Sequence, residues 1–297
     1  MRKPLIILGW CCALFLGAQT EPTLLWRIQP IAPGPASYLY GTVHSKDDRA
    51  FQFADSVMPA FERCTVVAGE LDLATSAQGF ALLERVSMAD GKRLEDLYKK
   101  KDWKKVEEAL EERLGIAAPA VYRLKPFFIV AMLTEGEMAG ERSYVLDQYL
   151  QDRARAAGKR VIGVERVEEQ LRAMDALPLK EQAAMLLEHL EQGDHSTQLE
   201  AMLNAYAAQD LDGLMKVADD AGGMPEDLGT ALLTERNARM VHRMDSIIAG
   251  GEGVFFAIGA AHLPGVTGLI QGLRDKGLIV HPVMSTARKP VPVEEER

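Results

Sequence analysis

Two short segments, one near each end of the chain, constrain its fold most strongly. Residues 38–44 (YLYGTVH) and 255–262 (FFAIGAAH) are both runs of aromatic, aliphatic and β-branched residues that end in Gly-x-x-His. Such runs are typical of buried strands, and a glycine at a strand end permits unusual backbone angles and the close approach of another group. The repeated pattern therefore predicts two strands that lie side by side and whose histidines, His44 and His262, share one pocket.

The rest of the pattern predicts an α/β protein with one large domain at 21–287. Further strands are expected at four places, with a hairpin near the start of the chain: 24–29, 64–69, 160–164 and 278–280. Apolar residues at helical spacing predict four helical regions: 51–63, insertions at about 74–157 and 168–249, and a crossover helix at 264–276. The tail at 288–297 is rich in proline and charge, and we expect it to be frayed.

Acidic side chains follow two of the other predicted strands. Glu70 comes directly after the strand at 64–69, and Glu165 after the strand at 160–164. The order along the chain is His, Glu, Glu, His, which suggests two similar halves that face each other. Ligands of open α/β sheets bind at the carboxyl ends of the strands, where all four side chains would lie. Glu165 has a second interpretation, because it could instead cap the helix that begins near Val167.

Two imidazoles and a carboxylate are suitable ligands for a divalent transition metal such as Mn, Co or Zn. The hypothesis is a metal site formed by His44, His262 and Glu70, with Glu70 serving as ligand or as general base in metal-assisted hydrolysis. Arg236 lies on the predicted helix that precedes the second Gly-x-x-His strand. It could bind a substrate carboxylate or carbonyl, or it could belong to a solvated helix face.

The remaining histidines and cysteines suggest no further site. His189 and His195 flank a helix break, His242 lies on a charged helix, and His281 ends a strand. Cys11 and Cys12 fall in the N-terminal apolar segment, so Cys64 would be the sole cysteine of a processed chain, which excludes a disulfide framework. We expect Cys64 to be a buried, unreactive core residue.

Charge and the N-terminus bear on location and partners. The formal net charge of −9 and the lack of a basic patch argue against nucleic acid or an anionic membrane surface as a main partner. Two basic residues, an apolar run and small polar residues make 1–20 a predicted signal peptide, with an uncleaved anchor or a lipidated Cys11 as alternatives. We therefore expect an exported, periplasmic or secreted protein, attached to the membrane only through this segment, that acts on a peptide or other small substrate.

Several motifs, taken in order, resemble those of the TraB/PrgY/GumN family, to which the Tiki-type membrane metalloproteases look related. They are the two Gly-x-x-His segments and residues 25–26, 66–72, 124–126, 158–165, 235–237 and 259–265. The resemblance implies an α/β fold with a central mixed sheet of two similar halves and large helical insertions, similar to the erythromycin-esterase, ChaN and Tiki types. It also implies a metal-dependent peptide-cleaving site with His44, Glu70 and His262 at its core, and with Arg236 and Glu165 beside them.

Three functions remain open at this point. The leading hypothesis is an exported metal-dependent hydrolase, and specifically a peptidase, in which Glu165 and Arg236 position the substrate. The second is a non-catalytic periplasmic module that binds peptide or haem, with Tyr40 or His44 as haem contacts, because the fold class also looks similar to ChaN-type haem-binding lipoproteins. The third is a scaffold in envelope biology, suggested by the company of the family alone.

Overall fold

The computed structural model describes residues 22–76, 79–137, 140–193, 195–220, 226–285 and 287–290. The predicted signal peptide at 1–20 lies outside the described residues, as does most of the predicted tail. The described chain is an α/β fold with a mixed central sheet and many helices, which confirms the predicted fold class at that level. Within these ranges, no helix is both long and apolar enough to cross a bilayer.

The central sheet has six strands in the order β5-β4-β6-β2-β1-β7, and β3 and β8 form a separate two-stranded sheet. β1 is antiparallel to both of its neighbours, whereas the contacts among β2, β4, β5 and β6 are parallel. β2 and β4 are buried along their whole length, and β6 along all but its last residue, as expected for strands covered on both faces. The strands are β1 Leu25–Gln29, β2 Ser37–Thr42, β3 Gln52–Ala54, β4 Val66–Gly69, β5 Arg160–Gly163, β6 Val254–Gly259, β7 Ile279–Pro282 and β8 Arg288–Pro290.

The two Gly-x-x-His strands are neighbours in the sheet, as the sequence predicted. β2 pairs with β6 in a register that sets Thr42 opposite Gly259. On its other side β6 pairs with β4, and β4 pairs with β5 so that Gly69 lies opposite Gly163. Because these four strands are parallel, the residues that follow them all leave the sheet at the same edge.

The helices pack in two groups. One group covers the sheet, and the other, which includes α4, α6 and α9, has its own buried cluster around Leu94, Leu110 and Ile129. A π-helical turn, Thr230–Thr234, joins α12 to α13. The helices are α1 Val57–Arg63, α2 Leu73–Ser76, α3 Gly79–Val86, α4 Lys100–Leu114, α5 Ala118–Val121, α6 Pro126–Glu137, α7 Leu146–Ala156, α8 Val167–Met174, α9 Leu179–Gln192, α10 Ser196–Ala207, α11 Leu211–Asp220, α12 Glu226–Gly229, α13 Glu235–Ala249 and α14 Leu269–Asp275.

Two segments differ from the sequence-based expectation. The helix predicted at 51–63 begins only at Val57, because Pro59 lacks an N–H and is tolerated in the first turn of a helix but not in its interior. The residues before it form a short 3₁₀ turn and β3. Arg288–Pro290, predicted to be frayed, is instead a strand that pairs antiparallel with β3. That pairing satisfies backbone groups of both segments, so the tail is ordered further than its composition indicates.

Candidate active site

His262 is held in one orientation and one tautomer. It lies in the 3₁₀ turn that follows β6 and is 5% exposed. Its Nδ1 is 2.6 Å from the Asn237 Oδ1, while the Asn237 Nδ2 donates to the carbonyl of Thr267 at 2.8 Å. Because the amide group thus presents its oxygen to the ring, Nδ1 carries the proton and Nε2 keeps its lone pair. Burial lowers the pKa of His262, so the neutral ring is the form expected near pH 7.

Glu70 faces this free nitrogen from the end of β4. Its Oε1 is 3.8 Å from the His262 Nε2 and accepts a hydrogen bond from the Gly259 N–H at 2.9 Å. Its Oε2 accepts from the Arg236 Nη2 at 2.6 Å and from the Gln170 Nε2 at 3.1 Å. Burial alone would raise the pKa of Glu70, but the charges of His262 and Arg236 and the Gly259 N–H outweigh it and lower that pKa. Since burial favours neutral His262, we assign most of this effect to the permanently charged Arg236.

The glycines of both motifs make room rather than allow unusual backbone angles. Neither Gly41 nor Gly259 has a positive φ, and Gly259 has a φ of −48°. A Cβ on Gly259 would lie 2.9 Å from the Glu70 Oε1, and a Cβ on Gly41 would lie 3.1 Å from the Leu263 Cδ2. Of the two reasons that the sequence offered for these glycines, close approach is therefore the one that applies.

Arg236 joins the two glutamates that follow β4 and β5. The backbone N–H of Glu165 donates to the carbonyl of Glu70 at 2.7 Å, which brings the two strand ends together. The Glu165 side chain is fully buried, with its Oε2 2.5 Å from the Arg236 Nη2 and 3.0 Å from the Nε. The predicted cap of α8 is made by Glu169 instead, whose carboxylate accepts from the Arg166 N–H at 2.9 Å. Glu165 and Arg236 form a buried ion pair, and Arg236 in turn contacts Glu70. This arrangement fits a role in positioning Glu70 better than direct contact with substrate.

His44 lies at the end of β2 and is more open than His262. Its side chain is 52% exposed, with its Nδ1 3.5 Å from the Asp147 Oδ2 and its Nε2 3.9 Å from the Glu135 Oε1. The other carboxylate oxygen of Asp147 accepts from the Thr42 hydroxyl at 2.6 Å. The interaction with Asp147 raises the pKa of His44. His44, Asp147, Glu70 and Gly259 line one open cavity of about 430 Å³, so the second motif reaches this pocket through its glycine, while the buried His262 lies behind Glu70 and does not line it.

His262, Glu70 and His44 are suitable ligands for a divalent ion, but only the first two have donor atoms close to each other. Two tetrahedral ligands of one ion lie ~3.4 Å apart when each bond is ~2.1 Å long, and the His262 Nε2 and the Glu70 Oε1 are 3.8 Å apart. His44 lies farther away, because among the described residues the three side chains do not bring their donor atoms within 4.8 Å of one another. An ion shared by all three therefore requires the exposed His44 side chain to rotate toward Glu70.

Three residues that orient the site were given no role from the sequence, although one of them, Asn237, belongs to the motif at 235–237. Asn237 is the residue after Arg236 on α13, and an amide next to a predicted site arginine was the available signal. Asp147 in the first turn of α7 and Gln170 on α8 carried no such signal, because their contacts depend on how helices pack against the strand ends.

Tyr40 lies not at the site but in the core, where the Tyr206 hydroxyl donates to its oxygen at 3.3 Å and burial raises its pKa. Cys64 is buried, and burial raises the pKa of its thiol to about 12.

A second ion pair fastens the segment that carries Glu165. The Arg243 Nη1 donates to the carbonyl of Val164 at 2.9 Å, and its two terminal nitrogens contact the Glu169 carboxylate at 2.7 and 2.6 Å. This bidentate interaction joins α13 to the start of α8. It therefore fixes the backbone on either side of Glu165.

Acidification is expected to weaken this interaction. The hydrogen bond from Arg243 lowers the pKa of Glu169 to about 2, whereas an unfolded glutamate titrates near ~4.3. The stabilisation is thus complete above ~4.3 and is lost as the pH falls toward about 2. Urea unfolding should show Glu169→Gln less stable than wild type by about 1–2 kcal/mol near pH 7 and by less near pH 3. The exposed Glu188→Gln should show no such trend; an equal deficit of Glu169→Gln at both pH values would contradict the assignment.

These features define an α/β protein with a histidine–glutamate site at the ends of parallel strands. The chain belongs to the TraB/PrgY/gumN family, whose model matches residues 24–282, so the family inferred from the sequence is confirmed. It is 24% identical to metalloprotease TIKI2 of Danio rerio over 86% of this chain and 60% of that protein. It is 25% identical to metalloprotease TIKI2 of Xenopus tropicalis over 90% of this chain and 61% of that protein. It is 24% identical to human metalloprotease TIKI1 over 86% of this chain and 61% of that protein. The chain thus spans about 60% of the length of these curated relatives. No solved structure matches it.

Proposed function

We propose that this protein is an exported metal-dependent hydrolase that cleaves peptides. The observation that carries the proposal is the pairing of the His262 Nε2 with the Glu70 Oε1 at 3.8 Å beside an open cavity. Its relatives are named metalloproteases, which supports a metal and a hydrolytic reaction. Export, to the periplasm or beyond, is supported by the signal-like composition of residues 1–20. We also propose that the central sheet consists of two similar halves, each with a histidine and a glutamate that follow its strands.

His262 and Glu70 would hold Mn, Co or Zn, and His44 would be a third ligand if its side chain rotates toward Glu70. When bound, such an ion supplies a Lewis acid and lowers the pKa of water from ~15.7 toward ~7. Asn237 keeps the proton of His262 on Nδ1, so that Nε2 faces Glu70. Arg236 keeps Glu70 ionised, and the Gly259 N–H fixes the carboxylate oxygen nearest His262. The protein's own residues therefore arrange two ligands before any substrate arrives.

His44 has one of two tasks at this site. It could be the third metal ligand. Alternatively, its Nε2 could take a proton from the attacking nucleophile and deliver that proton to the leaving amine. The second task suits a ring whose Nδ1 faces Asp147 and whose pKa that carboxylate raises. Metal content separates the two tasks: His44→Ala loses bound metal if His44 is a ligand, and keeps it while losing activity if His44 transfers a proton.

Cleavage of peptides should depend on a divalent ion. We expect the purified wild-type protein to cleave members of a fluorogenic peptide library, to lose cleavage after chelation, and to regain it when Mn²⁺, Co²⁺ or Zn²⁺ is restored. Peptide binding without cleavage at any of these ions would contradict the proposal and would favour the binding module instead. The haem version of that module gains no support from Tyr40, because a core side chain that contacts Tyr206 cannot reach a ligand in the cavity without rearrangement.

A further inference from the structure

A second group of metal-ligating side chains lies among the helices. Glu137 ends α6, His189 is in the last turn of α9, and His195 directly precedes α10. One donor atom from each of the three lies within 4.8 Å of the other two. The His189 Nε2 is 3.9 Å from the Glu137 Oε1, and the two imidazole rings stack with centroids 4.2 Å apart and planes 10° from parallel. The lone pair of an imidazole lies in the ring plane, so one ring must turn out of this stack before both nitrogens can face the same ion. The sequence indicated no role for these residues: His189 and His195 flank one helix break without a metal-binding spacing, and Glu137 is distant along the chain and joins them only through helix packing.

His189 provides a nitrogen that has no other use. Its Nε2 is buried and has no hydrogen-bond partner among the described residues. Buried polar atoms in native proteins nearly always have a partner, so an orphaned nitrogen that faces a carboxylate needs an explanation. Burial, helped by the nearby His195 and Arg113, lowers the pKa of His189 to about 4, so the ring is neutral near pH 7. A neutral imidazole is the form that binds metals.

His195 can supply the second nitrogen. Its Nε2 lies 3.2 Å from the carbonyl oxygen of His189, and its Nδ1 lies 3.3 Å from the Gln198 Oε1. Both oxygens only accept, so a neutral ring donates to one of them and keeps a lone pair on its other nitrogen. The His189 carbonyl is fixed within α9 whereas the Gln198 side chain is exposed, so we place the proton on Nε2 and the lone pair on Nδ1. The Gln198 oxygen cannot donate to that lone pair, and Gln198 is exposed and free to turn away. One ring nitrogen of His195 is therefore available to a ligand.

Arg113 is the neighbour that opposes a cation here. Its Nη1 lies 3.6 Å from the Glu137 Oε1, while its Nη2 donates to the carbonyl of Gly193 at 3.1 Å. An ion would take over the Glu137 carboxylate and leave Arg113 its bond to Gly193. Glu137 and His195 also line an open cavity of about 640 Å³, which gives an ion access and leaves room for water to complete its coordination.

We propose that Glu137, His189 and His195 bind a Zn²⁺ ion that ties the end of α6 to the end of α9 and the start of α10. Two imidazoles and a carboxylate are ligands that zinc accepts in a tetrahedral arrangement, with one position left for water. The site is separate in its residues from the one at the strand ends. Its task is to join helices of the second buried cluster, so it adds stability whether or not the strand-end site is catalytic.

Zinc titration of variants that lack the strand-end ligands tests this proposal. In a Glu70→Gln/His262→Ala background, calorimetry should detect one equivalent of bound Zn²⁺, and zinc should raise the thermal midpoint, because the ion binds the folded state. Adding His195→Ala or Glu137→Gln should weaken zinc binding at least tenfold and abolish the rise in the midpoint. The exposed His242→Ala is the matched control and should change neither quantity.

Two results would overturn the second site. One is a Glu70→Gln/His262→Ala protein that binds no zinc; the other is zinc binding that His195→Ala and Glu137→Gln leave unchanged. If the background variant does not fold, the same substitutions in the wild-type chain must lower the zinc stoichiometry by one equivalent, and an unchanged stoichiometry refutes the site. Peptide cleavage that persists in His195→Ala would leave the proposed hydrolase intact, so the two proposals fail separately.

Discussion

Replacement of Arg236 by methionine is expected to lower the free energy of unfolding by about 3–5 kcal/mol, the usual cost of removing one partner from a buried ion pair. Arg236 is 7% exposed, and its guanidinium contacts two carboxylates, Glu70 and Glu165, the second of which is fully buried. Without it, Glu165 either remains charged with no counterion or takes up a proton, and both outcomes cost free energy. Equilibrium unfolding in urea measures the loss.

A second substitution shows whether the unpaired Glu165 carboxylate causes the loss of stability in Arg236→Met. Arg236→Met/Glu165→Gln removes the unpaired buried charge, so it should recover part of the stability lost in Arg236→Met. Arg172→Met, on the exposed face of α8, should stay within ~0.5 kcal/mol of wild type. An Arg236→Met protein as stable as wild type would show that the buried contact network is assigned wrongly.

Replacement of His262 by alanine should reduce kcat/KM for peptide cleavage by more than ~100-fold. Loss of a residue that merely orients a metal ligand typically costs 10–100-fold in metal affinity or activity, and His262 is proposed as a ligand itself. Asn237→Ala, which frees the His262 tautomer, should fall in that ~10–100-fold range. Mass spectrometry of the purified variants should find metal lost in His262→Ala.

The control for His262 is His281, an exposed histidine on β7. His281→Ala should keep wild-type activity and metal content. If His262→Ala keeps both as well, the buried imidazole is a core residue satisfied by Asn237, and the hydrolytic site must lie elsewhere.

The parts of this fold that the sequence predicted are those with a local signature. Continuous apolar runs predicted β2, β4 and β6, and the repeated Gly-x-x-His indicated that β2 and β6 are neighbours, which their register confirms. The start of α1 was predicted too early, at residue 51, although Pro59 is a local signal that a helix begins only just before it. β8 was not predicted, because a Pro-containing segment becomes a strand only when an edge such as β3 is there to pair with it.

Four side chains of the candidate site could be placed at strand ends from the sequence, but their contacts could not. His44, Glu70, Glu165 and His262 each follow a strand, and that position could be read from the sequence. The partners of Arg236 could not, because a charge in an amphipathic helix has the same pattern whether it meets solvent or two buried carboxylates. The packing of α7 and α8 decides that Asp147 and Gln170 reach the strand ends. Side chains brought together by helix packing, such as Glu137 beside His189, leave no periodic signal.

The most direct measurement of the central claim is anomalous diffraction from crystals grown or soaked with Co²⁺ or Mn²⁺. We expect an ion bonded to the Nε2 of His262 and to the Glu70 carboxylate, at the cavity that His44 lines. The central claim would be contradicted by an ion found only at other residues, with no metal between Glu70 and His262 while Glu70 still contacts Arg236 and His262 still contacts Asn237.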